Sequence, residues 1–168
     1  MSHLFFRLLL CTGLVLVGSA CRDAPQPALD DKSTGPKTLL PVEKTDQWGY
    51  ATRYGRLIIE PQFEKAHRFV DNRALIRLEG KFGFIDTTGS VVISPTYTNA
   101  RSFTEGFAPV RPDSLWGYVN RSGRLVIQPR FAQADPFRNG LARVALPNGQ
   151  TAYVTPTDSL VRPGRSAD

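Results

Sequence analysis

Histidine and cysteine are nearly missing from this chain: two of each occur in 168 residues. A zinc site needs three or four nitrogen, sulfur or carboxylate ligands, so His67 and Cys21, the two that remain if the first twenty residues are removed, do not make a familiar set. One remaining cysteine also excludes an intramolecular disulfide. No histidine triad is signalled, because no activated nucleophile accompanies His67. Long apolar runs are scarce too. Leu8 to Val17 is almost wholly apolar but falls short of the roughly 20 residues of a membrane-spanning helix. Acidic residues are in deficit, with 15 against 21 basic ones and a formal net charge of +6.

What is there begins with an export pattern. Met1 to Arg7 is short and positively charged, the apolar run follows, and Gly18-Ser19-Ala20 precedes Cys21. This resembles the bacterial lipoprotein signal, in which the cysteine after a small-residue cleavage site becomes the lipidated first residue. The resemblance implies a signal peptide over 1–20, lipidation at Cys21 and attachment to a membrane of the bacterial envelope. Gly18 departs from the leucine commonest at that place, which leaves ordinary cleavage after Ala20 and a soluble periplasmic or secreted protein as the alternative. Each buried methylene of an acyl chain is worth about 0.8 kcal/mol, so several chains anchor firmly. Residues 21–38, with Pro25, Pro27, Gly35 and Pro36, read as a flexible tether, and 156–168 as a disordered tail. The remaining 39–155 suffice for one modest domain.

That domain repeats at an interval of 34 residues. Trp48-Gly49-Tyr50, Phe82-Gly83-Phe84 and Trp116-Gly117-Tyr118 are in register. So are Pro61, Pro95 and Pro129, and the connector residues Phe69, Phe103 and Phe137. A fixed period of this length marks units that complete their cores against neighbours. In the middle unit Ala74 to Leu78 reads as a strand, Glu79-Gly80 as a turn and Lys81 to Ile85 as a second strand. Asp86 to Gly89 reads as a turn ending in a residue of positive φ, and Val91 to Ile93 as a third strand stopped at Pro95. Gly89 and Gly123 hold equivalent turn places. Connectors 62–72, 96–106 and 130–140 read as compact loops pinned by two aromatic plugs and an alanine, ending at Asn72, Gly106 and Gly140 in left-handed conformation. A glycine in mid-strand implies that something needs its vacant space, and the expectation is an aromatic packed over Gly49, Gly83 and Gly117. A fourth, degenerate copy follows Leu141. With one inserted residue, Ala152-Tyr153-Val154-Thr155 recovers the Gly-Tyr-Val-Asn segment, and Asp158 replaces the turn glycine. Such copies cap the open end of a stack.

These residues carry a family resemblance. The Trp-Gly-Tyr segments, each followed by a glycine turn, an apolar run and a proline, resemble WG repeats, as does Ser102-Phe103-Thr104-Glu105-Gly106-Phe107-Ala108. Departures are Phe82 for tryptophan, Thr52 for an acidic residue, and Asn72-Arg73 for Glu-Gly. The resemblance implies an all-β interaction module without a shared reaction. The expected fold is a row of short antiparallel three-stranded packets with compact connectors, with closure into a barrel-like or propeller-like form as the alternative.

Candidate chemistry is sparse. Asp86 has Thr52 and Asn120 as counterparts, which makes it a turn former that bonds the backbone through a side-chain oxygen. Glu64 or Glu105 with Asp135 is a conceivable glycosidase pair, but spacing does not place them at the separation that chemistry needs. Gly80, Gly83 and Gly89 do not form a dinucleotide fingerprint, and no cofactor or metal is implied. Residues 48–155 hold 14 basic against 8 acidic residues, with arginines in every unit, a spread unlike the clustered basic groove of a nucleic-acid binder. Arg101, Arg111, Arg130 and Arg138 are the candidates for partner binding, with Arg121 and Arg143 beside them. The expected function is therefore non-enzymatic: an envelope scaffold engaging a protein or cell-wall polymer. The alternatives are an inhibitor or immunity protein for a periplasmic enzyme, and a hydrolase of envelope polymers.

Overall fold

The structure, a computed structural model, describes residues 38–161. The signal, Cys21 and nearly all of the tether lie outside the described residues, as does the tail from Arg162 onward. The described chain is all β, in four antiparallel sheets. The first contains β1 (Leu39–Lys44), β2 (Gln47–Thr52) and β3 (Leu57–Phe63) in that order. The second contains β4 (Lys65–Ala66), β5 (Ala74–Leu78), β6 (Lys81–Ile85) and β7 (Val91–Tyr97). The third contains β8 (Asn99–Ala100), β9 (Phe107–Arg111), β10 (Trp116–Asn120) and β11 (Leu125–Phe131). The fourth contains β12 (Gln133–Ala134), β13 (Ala142–Ala145), β14 (Thr151–Val154) and β15 (Leu160–Val161). Each copy thus supplies a three-stranded packet, and the short strand from the preceding connector widens sheets two to four. Pro41 lies in the edge strand β1, where its missing N–H costs no ladder bond.

Turn chemistry fixes the register. Gly55, Gly89 and Gly123 have φ of 84°, 91° and 83°, and Asp158 takes the same place in the fourth copy at 66°. The residue that opens each turn accepts bonds across it: Asp86 Oδ1 from the Thr88 and Ser90 amides at 2.9 and 3.1 Å, and Asn120 Oδ1 from Ser122 and Arg124 at 3.1 and 3.0 Å. The connectors end in two-residue turns, Asp71-Asn72, Glu105-Gly106 and Asn139-Gly140, with both residues at positive φ. Asp71-Asn72, not Asn72-Arg73, therefore holds the place of Glu105-Gly106.

Three expectations are corrected. The third strands do not stop at their prolines: β3, β7 and β11 run through Pro61, Pro95 and Pro129 as bulges. Trp48 pairs with Phe63 but Tyr50 with Ile59, so the bulged backbone of Glu60-Pro61-Gln62 must fit opposite Gly49 alone. That backbone, not an aromatic ring, occupies the space a side chain would need. A Cβ on Gly49 would lie 2.4 Å from the Ile59 carbonyl oxygen; on Gly83, 2.6 Å from that of Ile93; and on Gly117, 2.5 Å from that of Ile127. Order also extends past residue 155, because Leu160 and Val161 pair with Val154 and Tyr153.

The core is divided into three clusters, one between each sheet and the next. Strand alternation makes this work: in β5, Ala74 and Ile76 face the first sheet while Leu75 faces the third. The connector phenylalanines are the plugs. Phe69 packs on Tyr50 at 4.8 Å between ring centroids, Phe103 on Phe84 at 4.8 Å, and Phe137 on Tyr118 at 4.9 Å. Turn glycines close the stacking from the other side, a Cβ on Gly89 falling 3.2 Å from Ile59 of the preceding unit and one on Gly123 falling 3.1 Å from Ile93. Carboxylates tie successive connector turns: Asp71 accepts the Gly106 amide at 2.9 Å, and Glu105 accepts those of Asn139 and Gly140 at 2.7 and 2.9 Å. The result is a row of sheets.

Candidate arginine cleft on the last sheet

The outward face of the fourth sheet is built from the same alternation. Ala142 and Val144 of β13 and Ala152 and Val154 of β14 point into the last core cluster. Arg143 and Tyr153, directly opposite each other across the two strands, point away from it. In the inner copies the places of Tyr153 belong to Tyr50, Phe84 and Tyr118, each 0% exposed beneath a connector phenylalanine. Tyr153 is half-buried, and among the described residues no aromatic ring packs on it. The place of Arg143 is taken in the inner copies by buried Leu75 and Pro109. An apolar docking face has become a polar one.

Where the last connector meets this face, a cleft of about 570 Å³ opens. Arg101, Arg138 and Arg143 line it with Asp135, while Leu141, Pro136 and Tyr153 give it an apolar side. Asp135 is held from several directions. Its Oδ1 accepts from Arg101 at 3.1 Å and its Oδ2 from Arg143 at 3.0 Å. Its main-chain carbonyl accepts the Tyr118 hydroxyl at 2.7 Å, a bond Tyr50 repeats to the His67 carbonyl at 2.8 Å. The side chain of Arg138 has no carboxylate partner among the described residues. Three guanidinium groups against one carboxylate leave the cleft positive, with donor capacity free for an anion.

Of the four predicted arginines, Arg101 and Arg138 line the cleft, and Arg111 and Arg130 do not. Arg130 clamps Asp158 through both guanidinium nitrogens, at 2.5 and 3.1 Å, and so holds the last turn. Arg111 lies over the Trp116 ring at 5.4 Å, with Arg101 at 5.5 Å from the same ring. Arg121 pairs with Asp71 at 3.0 Å. That ion pair and the Gly106 amide hold the Asp71 carboxyl below its ordinary pKa, despite partial burial. The Thr88 hydroxyl, with the Thr88 and Ser90 amides, does the same for Asp86, as its turn role requires. Burial, then the nearby Lys65, lowers His67. Tyr153 and the anchoring role of Asp135 were missed in the sequence. The available signal was that Tyr153 aligns with Tyr50, Phe84 and Tyr118, while Arg143 stands where Leu75 and Pro109 do in the preceding copies.

The carboxylates considered for hydrolysis are engaged elsewhere. Glu64 pairs with Arg77 at 3.3 Å and accepts the Gly80 amide at 2.9 Å, while Glu105 and Asp135 hold the contacts described above. Among the described residues no group of three or more histidine, cysteine, aspartate or glutamate side chains is placed to hold a metal ion. No described helix is long and apolar enough to cross a membrane.

Comparison with known proteins gives one family. The profile of the WG containing repeat matches residues 48–82, 82–115 and 116–148, three consecutive copies covering more than half of the chain. The matched region ends before Tyr153. No curated protein matches the chain.

Proposed function

The chain belongs to the WG-repeat family, and we propose that this member is a non-enzymatic binding lipoprotein of the bacterial envelope whose arginine cleft engages an anionic partner. A β-repeat row of this kind suits a scaffold or interaction role in general, because the units complete their cores against one another and present an extended surface. The observation that carries the specific reading is the convergence of Arg101, Arg138 and Arg143 on the outward face of the last sheet, with Arg138 unpaired among the described residues. Planar guanidinium groups bind carboxylates and phosphates through paired hydrogen bonds, and the net positive charge of the chain favours approach of such partners. The engagement of Glu64, Glu105 and Asp135 in structural bonds supports binding over hydrolysis. Envelope placement rests on the sequence of residues 1–21, with Cys21 as the lipidated residue.

The test is a crosslinking pull-down from envelope fractions with the Cys21-anchored chain, a Cys21→Ala control and an Arg101→Glu/Arg138→Glu double variant. The expected result is a partner captured by the parent and lost with charge reversal. Unchanged capture by the double variant removes the cleft from the proposal, and failure of the parent to incorporate labelled lipid removes the anchor. A stoichiometric periplasmic enzyme in the eluate, silenced by the chain, makes the binding inhibitory. Turnover of cell-wall material that one carboxylate substitution abolishes overturns the non-enzymatic reading.

A further inference from the structure

The chemistry of the occupant follows from what the other three copies place on the same spot. This step rests on the arginine cleft being a binding site. In every inner copy the aromatic ring two residues after the tryptophan place receives a phenylalanine, at 4.8 to 4.9 Å between centroids. Such offset or edge contacts add to the gain from burial. Tyr153 is the fourth member of that series, lines the cleft, and has no ring on it among the described residues. Its cross-strand neighbour is Arg143, and Arg101 and Arg138 line the same cleft. A group that stacks on Tyr153 therefore has guanidinium groups immediately beside it, while Leu141, 38% exposed, extends the apolar side.

We infer that the cleft receives an acidic peptide segment of a partner protein, with an aromatic side chain seated on Tyr153 and a neighbouring carboxylate on Arg138 and Arg143. The aromatic group takes the place that connector phenylalanines hold on Tyr50, Phe84 and Tyr118. The carboxylate answers the excess positive charge that distinguishes this face from the inner ones, where Leu75 and Pro109 stand in the place of Arg143. An anionic polysaccharide would satisfy the arginines, but the repeated phenylalanine-on-ring contact in the inner copies favours a protein side chain.

Fluorescence anisotropy of the full chain in detergent tests this. The probe is a short fluorescein-labelled peptide with one phenylalanine between glutamates, compared with its phenylalanine-to-alanine and glutamate-to-glutamine counterparts. Saturable binding of the parent peptide is expected, weakened roughly tenfold or more by either peptide change, and likewise by Tyr153→Leu or Arg138→Gln. Arg138→Gln should leave the thermal melt unchanged, which separates lost binding from lost folding. If the alanine peptide binds as tightly as the parent and still depends on Arg138, the aromatic seat is overturned while the anion-binding function stands. Binding of polygalacturonate with none of the three peptides bound overturns the peptide assignment in favour of a polysaccharide. No binding of any of these probes overturns both the seat and the cleft's anion-binding role.

Discussion

At the scale of single residues, Gly49, Gly83 and Gly117 and the proline twelve residues after each belong to one device. The bulge that carries Pro95 drops its backbone onto Gly83, and a Cβ there would meet the Ile93 carbonyl oxygen at 2.6 Å and the Pro95 nitrogen at 2.7 Å. Neither atom is the end of a flexible side chain, so relaxation must move the strand. Gly83→Ala is expected to destabilise the domain by about 3 kcal/mol, the upper part of the overpacking range. Urea unfolding checks this, and a midpoint equal to the parent's would remove the bulge argument. The need for a vacancy was legible from the mid-strand glycine alone. Its occupant was not, because a bulge depends on how two strands register and leaves only a proline as its trace in sequence.

At the scale of elements, the connector is the informative piece. Its spacing of aromatic, alanine and phenylalanine is compatible with a helical turn, yet the structure uses Lys65–Ala66, Asn99–Ala100 and Gln133–Ala134 as short strands on the next sheet. Six residues form too few helical hydrogen bonds to offset nucleation, whereas an existing sheet edge offers bonds at once. The acidic residue that ends the connector links one turn to the next. Glu105 satisfies two amides, those of Asn139 and Gly140, which lie in a turn with both residues at positive φ. Replacing Glu105 by alanine should cost about 1 kcal/mol, since the contact is exposed and water can substitute in part. Hydrogen exchange gives a sharper reading than the melt: the Asn139 and Gly140 amides are expected to lose protection in the variant, while those of β5 and β6 keep theirs. Loss of protection spread evenly over all four sheets would contradict the link. The notable error in reading these elements, treating Asn72-Arg73 as the counterpart of Glu-Gly, hid Asp71 as the equivalent acidic residue.

At the scale of the whole molecule, stability should fall with acidity. Asp71 and Asp86 have depressed folded pKa values, so their contribution is present above the unfolded carboxylate value near pH 4 and lost as pH falls through the folded values. His67 is also depressed, by burial and by Lys65, and the unfolded chain therefore binds the proton first. Its contribution is complete above about pH 6.5 and declines as the pH falls from there toward the folded value. Urea midpoints measured from neutral pH to about pH 3.5 should drop in two stages. His67→Gln should flatten the upper stage and leave the lower one. An unchanged upper stage in that variant would remove His67 as its source.

The chain by itself determined the repeat, its 34-residue interval, the all-β class and the turn places at Gly89, Gly123 and Asp158. These are local matters, written in side-chain alternation and in the few residues that tolerate positive φ. Only the tertiary structure decided which arginines share a surface. Arg111 and Arg130 are as good candidates in sequence as Arg101 and Arg138, but only the latter two line the cleft, while Arg130 is clamped to Asp158. Only it, too, picked out Tyr153, which is of the same residue type as Tyr50 and Tyr118 but has no aromatic ring packed on it among the described residues. Residue type records what a position can contact, but the position's place in the row decides which neighbours it meets.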